Sequence, residues 1–240
     1  VAPVKPEALP EIVICGLGTG SDLVKSLTDV SGPEGFRKLI KRGQGVRIDL
    51  GEISYTTDHG QVTRYFVNIA DAGLGGAVVS TLKQGSARAN GLLTYLLAGM
   101  KSILTYGNRY MRLKLDGRPV IEGPLNSIIV ANGRFFAGGM EIAPMAEVND
   151  GLLDILVVRN MNKLKTAFCF YRAYSGRHLS YKGVEYFRGK EVVIDSPERV
   201  LLDIDGETGG RLPARIRVYP RKLPVIVSPD HKVSLRGKLL

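Results

Sequence analysis

From Gly45 onward, apolar and polar residues alternate in short runs with turn residues between them. VRIDLGEISYTT, VTRYFVNIA, YMRLKLDGRPVIEG, LNSIIVANG, LLDILVVRN, KEVVIDS, RVLLDIDGE, ARIRVYP and LPVIVSP read as strands. In RIRVY, Ile216 and Val218 fall on one side and Arg215, Arg217 and Tyr219 on the other. That two-residue period is the mark of a strand with two unlike faces. Asp116-Gly117, inside LDGRPV, predicts a two-residue hairpin turn of type I′. Two helices interrupt the strands, one around 89–105 and one around 161–177. In the second, Leu164, Phe168 and Tyr171 at i, i+4 and i+7 mark an apolar stripe. Many short strands with regular turns predict an antiparallel sandwich.

The first segment has a different pattern. EIVIC is a short apolar run that suits a buried strand, GLGTGSD is a glycine-rich turn, and Ser21 or Asp22 can cap a helix that places Leu23, Ser26 and Leu27 on one face. A second helix is predicted over 33–43, with Pro33 near its start and Gly43 at its end. The fold class expected is therefore mainly β with an α/β portion. Backbone N–H groups in a glycine turn at a helix start can cradle phosphate, and a plain βα turn fits the same residues. The third glycine of a dinucleotide fingerprint is replaced by Ser21, and no Lys follows as in a P-loop.

Composition narrows the classes. The 240 residues carry 33 Lys and Arg against 23 Asp and Glu, a net charge of +10. Hydrophobic residues make up 44%, which excludes disorder as the main state. The 29 glycines and 12 prolines exceed average usage and agree with many turns. Two cysteines and three dispersed histidines make neither a disulfide framework nor a zinc site. The apolar run at 91–100 is about half of what spans a bilayer, and no signal peptide is read at the start. The expected setting is cytoplasmic. From Asn160 to Leu240 there are sixteen Lys and Arg against eight Asp and Glu, a bias toward phosphate or anionic membrane. No RNA-binding aromatic motif or helix-turn-helix is seen, so no nucleic-acid partner is expected.

Three stretches carry candidate chemistry. In VLLDIDGETGGRLPA, Val200, Leu202 and Ile204 face one way and Leu201, Asp203 and Asp205 the other, with Glu207 just past Gly206. Crowded acids raise a carboxyl pKa unless a cation is near, and a raised pKa suits a general base; a solvated hairpin with charged flanks has the same spacing. Gly209 and Gly210 allow close approach of a ligand. AEVNDGLLDILVV puts Asp150-Gly151 at a strand mouth. This is a common turn, or a hard-cation site built from the Asp150 carboxylate and the carbonyls of Glu147 and Leu152. NIADAGLGG and VANGRFFAGGM suggest close packing or loops, with Phe135 and Phe136 in a core or lining an apolar pocket.

Taken in order, GLGTGSDLVKSL, YFVNIADAGLGGAVV, SIIVANGRFFAGGMEIAPMAEVNDGLLDILVV and LLDIDGETGGRLPARIRVYPRKLPVIVSP resemble the diacylglycerol kinase catalytic family over residues 11–229. This family includes bacterial lipid kinases similar to sphingosine kinases and, more distantly, to NAD kinases. The resemblance implies ATP-dependent transfer of a γ-phosphoryl group to a lipid hydroxyl. It implies a remnant of an N-terminal α/β nucleotide-binding domain at 1–45, a C-terminal antiparallel β-sandwich at 46–229 and a tail at 230–240. Glu207 matches the proton acceptor and Asp205 lies beside it, orienting the site or holding catalytic Mg²⁺. Gly18, Thr19 and Gly20 match the nucleotide-contacting turn. Glu147, Asp150 and Leu152 match a Mg²⁺ site. The implied partners are ATP and a lipid at an anionic membrane surface, with peripheral association, and open strand edges allow a homodimer. The family's GGDGT loop is absent ahead of Gly16, Ser21 replaces an Asn, and the usual Pro is missing. The expectation is a fragment of a longer kinase with poor ATP binding by itself. An NAD kinase-like enzyme and a non-catalytic lipid-binding sandwich are the alternatives.

Overall fold

Valine- and isoleucine-rich runs become strands because branched side chains pack well on a pleated surface. Here they pack on both faces of one large sheet. A computed structural model describes residues 10–16, 21–28, 32–84 and 92–228. In chain order the elements are β1 (Ile12–Val13), α1 (Asp22–Leu27), α2 (Gly32–Arg42), β2 (Gln44–Thr57), β3 (Gly60–Phe66), β4 (Ile69–Gly73), α3 (Leu74–Gln84) and α4 (Leu92–Thr105). Then follow β5 (Arg109–Leu115), β6 (Arg118–Ala131), β7 (Phe135–Phe136), β8 (Met140–Glu141), β9 (Leu153–Arg159) and α5 (Lys163–Ala173). A 3₁₀ turn at Arg177–Ser180 leads to β10 (Val184–Gly189), β11 (Glu191–Asp195), β12 (Leu201–Ile204) and β13 (Glu207–Val227).

The sheet runs β10-β9-β6-β4-β12-β13-β11-β5, and a further β5–β6 pairing brings the path back on itself. It thereby wraps around a core containing Ile128, Val130, Leu153, Ile155, Val157, Leu202, Ile204 and Ile216. The fold is the expected mainly-β sandwich with an α/β portion, in which β1 lies parallel to β13 at Ile12↔Val225. Strands β6 and β9 are apolar on both faces. Ile129, Ala131, Leu156 and Val158 point away from the first core into a second one with Phe136, Met140, Ile142 and Ala173. Continuous rather than alternating apolar runs such as SIIVA and ILVV are what two-sided burial requires.

Helices α3, α4 and α5 lie outside the sheet. Helix α3 is not evident in the sequence, since Gly75-Gly76 looks like a loop. Those glycines let it sit on the sheet: a Cβ at Gly76 would lie 2.4 Å from the Leu201 carbonyl oxygen. Helix α5 is capped by Asn162, whose side chain accepts from Lys165 N–H at 2.9 Å. Its outward face reverses the usual amphipathic expectation. Leu164, Phe168 and Tyr171 are 83%, 49% and 75% exposed, and Thr166, Cys169 and Ala173 are its buried residues. Among the described residues, no helix is long and apolar enough to cross a membrane.

Candidate functional site

The acid cluster is organised by the turn between β12 and β13. Asp205 and Gly206 have φ of 50° and 85°, the positive pair that a type I′ hairpin demands. The Asp205 carboxylate accepts three backbone N–H groups, from Val67 at 2.8 Å, Asn68 at 3.0 Å and Ile69 at 2.9 Å. These bonds fasten the turn to the entrance of β4. The predicted turn at Asp116-Gly117 is built in the same way, with φ of 48° and 79°. There Asp116 Oδ1 accepts from Lys190 and Glu191 N–H, each at 2.9 Å. The parallel marks Asp205 as a residue that fixes the position of its turn.

Glu207 follows the turn with its side chain 64% exposed. One oxygen pairs with Arg64 Nη2 at 3.1 Å. The next residue, Thr208, accepts from Lys83 Nζ at 2.7 Å. The carboxylate best placed to meet solvent or substrate therefore has one cation paired with it, Arg64 from β3, and Lys83 from the end of α3 bonds the neighbouring residue. Neither can be found from the sequence, because their approach depends on how β3 and α3 fold against the hairpin. Gly209 and Gly210, read as a surface for a ligand, are filled by protein: added Cβ atoms would meet Ile204 Cδ1 at 2.4 Å and the Thr56 carbonyl at 2.6 Å.

Asp203 points to the other face of β12, directly across from Asp71 on β4. Both are buried, at 4% and 3% exposure. Burial pushes the Asp203 carboxyl up to about 7; the Gly206 amide opposes the shift and the Asp205 charge adds to it. Asp71 is raised well above the usual carboxylate range by burial and by the facing Asp203. The raised pKa in the cluster thus comes from burial more than from crowding along the strand. Asp71 Oδ2 accepts from Gly75 N–H at 3.1 Å, and Oδ1 has no partner. Asp71 escapes a reading of the sequence by motif, although an acid between two alanines of an apolar strand needs a reason to be there.

Asp71 also lines a cavity of about 310 Å³. Its walls include Leu74 and Val78 of α3, Met100 and Ile103 of α4, Phe136 of β7 and Phe170 of α5. Phe136 therefore belongs both to the core and to an apolar pocket. The volume lies in the range of small-molecule sites, which are typically apolar with a few placed polar groups. Helix α1 braces the loop on one side of this wall. Asp22 accepts from Gly138 N–H at 2.8 Å and Ser26 Oγ from Arg134 N–H at 3.1 Å.

The Asp150 loop is arranged around a guanidinium. Arg188 bonds to Asp150 through Nη2 and to Asp154 through Nε, the latter at 3.0 Å. Asp150 Oδ1 accepts from Leu152 N–H at 3.0 Å. Asp49, nearby and buried, accepts from Gly151 and Arg221 N–H, each at 2.7 Å. Oxygen donors suit Mg²⁺, and in this structure both Asp150 oxygens are engaged, one by Leu152 N–H and one by Arg188. As arranged, the Asp150 carboxylate is paired with Arg188. Gly18, Thr19 and Gly20 lie outside the described residues.

Comparison with known proteins places the fold. Diacylglycerol kinase of Staphylococcus carnosus is 27% identical over 229 residues, covering 93% of this chain and 70% of the relative. Diacylglycerol kinase of Staphylococcus aureus is 24% identical over 221 residues, covering 92% and 67%. Among solved structures, a diacylglycerol kinase from Bacillus anthracis superposes with a TM-score of 0.63 at 20% identity, over 92% of this chain and 68% of that one, a likeness of fold. Residues 68–227, from the start of the strand that carries Asp71 to the end of β13, match the YegS C-terminal NAD kinase beta sandwich-like domain, and the chain belongs to that family.

Proposed function

We propose that this chain is the lipid-handling part of an ATP-dependent lipid kinase that phosphorylates a hydroxyl of diacylglycerol or a related lipid. The observation that carries this reading is the apolar cavity whose Asp71 sits opposite Asp203, two residues from the Asp205-Gly206-Glu207 turn. An acyl chain fits the apolar walls, and the polar end of the lipid would lie toward the acids. The matched relatives, named diacylglycerol kinases, support the same class.

In this reading Glu207 accepts the proton of the lipid hydroxyl as its oxygen attacks the γ-phosphorus. Asp205 holds the turn by its three amide bonds, so that Glu207 is presented at a fixed place. Arg64 and Lys83 offset phosphate charge, and phosphoryl transfer depends on positioning and on such stabilisation. Nucleotide would be held by Gly18, Thr19 and Gly20, with residues 1–45 as the edge of the nucleotide-binding half. Mg²⁺ would arrive with the nucleotide and screen its phosphates. A structural Mg²⁺ at Glu147, Asp150 and Leu152 would have to displace Arg188 from Asp150.

The test is transfer of labelled phosphate from ATP to diacylglycerol dispersed in phospholipid, by the protein in its full reading frame. Glu207→Gln is expected to lower kcat by about 10²- to 10⁴-fold with unchanged circular dichroism. Near-normal kcat in that variant would remove Glu207 from the role. Label appearing in NAD⁺ and not in lipid would replace the acceptor.

A further inference from the structure

The cavity opens between helices whose outer faces are unusual for a water-facing surface. On α4, Leu97, Met100 and Leu104 are 59%, 62% and 67% exposed, and their spacing puts them on one stripe. On α5, Leu164, Phe168 and Tyr171 form a second exposed stripe. Met100 and Tyr171 belong to both the stripes and the cavity lining. Six large apolar side chains on two adjoining helices exceed the scattered hydrophobics of an ordinary surface.

The stretches of chain that carry them bear charge of one sign. No Asp or Glu occurs between Asp71 and Asp116, or between Asp154 and Glu185. Those stretches include Lys101, Lys163, Lys165, Arg172, Arg177 and Lys182. Lys101, Lys165, Arg177 and Lys182 are exposed. The Arg172 guanidinium lies 5.8 Å from the centre of the Phe168 ring. An apolar stripe edged by cations and free of acids is the pattern of a helix lying in the interface of an anionic bilayer.

We propose that the outer face of α4 and α5 is a bilayer-docking surface, which lays its apolar stripes into an anionic membrane and brings the cavity mouth to the acyl chains. The choice of a lipid surface as occupant rests on the lipid-kinase reading above. It is also favoured over a second copy of this chain. A two-fold pair through this face would set the same cationic helices against themselves, whereas an anionic bilayer complements them.

The chain contains no Trp, so Leu164→Trp provides a single reporter on the stripe. The variant is mixed, without nucleotide, with vesicles of phosphatidylcholine alone or with phosphatidylglycerol. The expected result is a blue-shifted emission quenched by lipids brominated in the acyl chain, stronger with phosphatidylglycerol and weakened by salt. Phe168→Glu and Met100→Glu should each reduce vesicle partitioning about tenfold or more, while Tyr65→Glu on β3 leaves it unchanged. Binding with unshifted emission would place the docking face elsewhere and overturn the proposal. So would absence of binding, or a dimer by light scattering that shields the introduced indole from added quencher. Because docking is read without nucleotide, the two readings separate: shifted, quenched emission here together with no transfer of label from ATP to lipid in the kinase assay would defeat the kinase reading and leave the docking face standing.

Discussion

The sheet and the helical cap use apolar residues in opposite ways. In β6 and β9, side chains on both faces are buried in one of two cores, and Ile128, Ile129, Ile155 and Leu156 have no exposure. Among the described residues of α4 and α5, Leu97, Met100, Leu104, Leu164, Phe168 and Tyr171 face outward, while Ala98, Ser102, Thr166 and Ala173 are buried. Among the described residues, Leu74, Val78 and Ala98 alone form the fully buried cluster between α3 and α4. The sheet spends its hydrophobicity on folding. The cap leaves a cavity inside and an apolar surface outside.

The difference can be broken first by truncation. Leu156→Ala should cost about 2–5 kcal/mol by urea unfolding, because the packed sheet cannot close around the lost atoms. A loss below about 1 kcal/mol would mean that the second core is loose. Next is Arg188→Ala, which strands Asp150 and Asp154 beside β9. About 3 kcal/mol is expected, near the low end for a broken buried pair because Arg188 is itself part exposed. If Mg²⁺ restores much of that stability, the Asp150 loop can hold a cation once the guanidinium is gone. A variant that is equally destabilised with and without Mg²⁺ would leave the loop purely structural.

A smaller effect tests the boundary between the two regions, where Asp71 and Asp203 face each other. Their raised pKa values mean that the folded state keeps protons the unfolded chain has released. Stability should therefore fall as pH rises from about 4 to about 7, since the native state binds more protons in that window. Asp203→Asn should flatten this part of the curve when urea midpoints are compared at about pH 5 and about pH 8. A wild-type slope of the opposite sign, unchanged by the variant, would contradict ionisation costs at the pair. The smallest effect belongs to the cap: Leu164→Ala should change stability by no more than about 0.5 kcal/mol. A larger loss would show that the stripe packs against something in solution.

The same contrast explains what the sequence discloses. The sandwich is legible because a period of two survives in strands such as β2, β5 and β11 and turn residues separate the rest, and the Asp116-Gly117 turn is legible from its residue pair, which adopts the two positive φ angles. Strand β13 reads as separate pieces because prolines interrupt it. Pro213 and Pro220 sit in the irregular stretches between Arg211 and Ala214 and between Tyr219 and Leu223, where a missing N–H breaks no ladder bond. The cap is less legible. Helix α3 is hidden by Gly75 and Gly76, whose value is close approach to Asp71 of β4 and to Leu201 of β12. The stripe on α5 discloses a helix but not which way it faces, since periodicity cannot separate a core face from a lipid face. In the site, Asp205 and Glu207 stand out as a motif, whereas Arg64, Lys83 and Asp71 come from distant segments that only the fold assembles.

The central claim is that the cavity behind α4 and α5 receives the acyl chain of the lipid whose hydroxyl is phosphorylated. The direct test is photo-crosslinking with a diacylglycerol that carries a diazirine at the end of one acyl chain, followed by peptide mapping. Adducts are expected on Met100, Ile103, Phe136 and Phe170, competed away by unlabelled diacylglycerol. Adducts confined to the β2–β3 surface around Val62 and Tyr65, or spread evenly over the protein without competition, would contradict it.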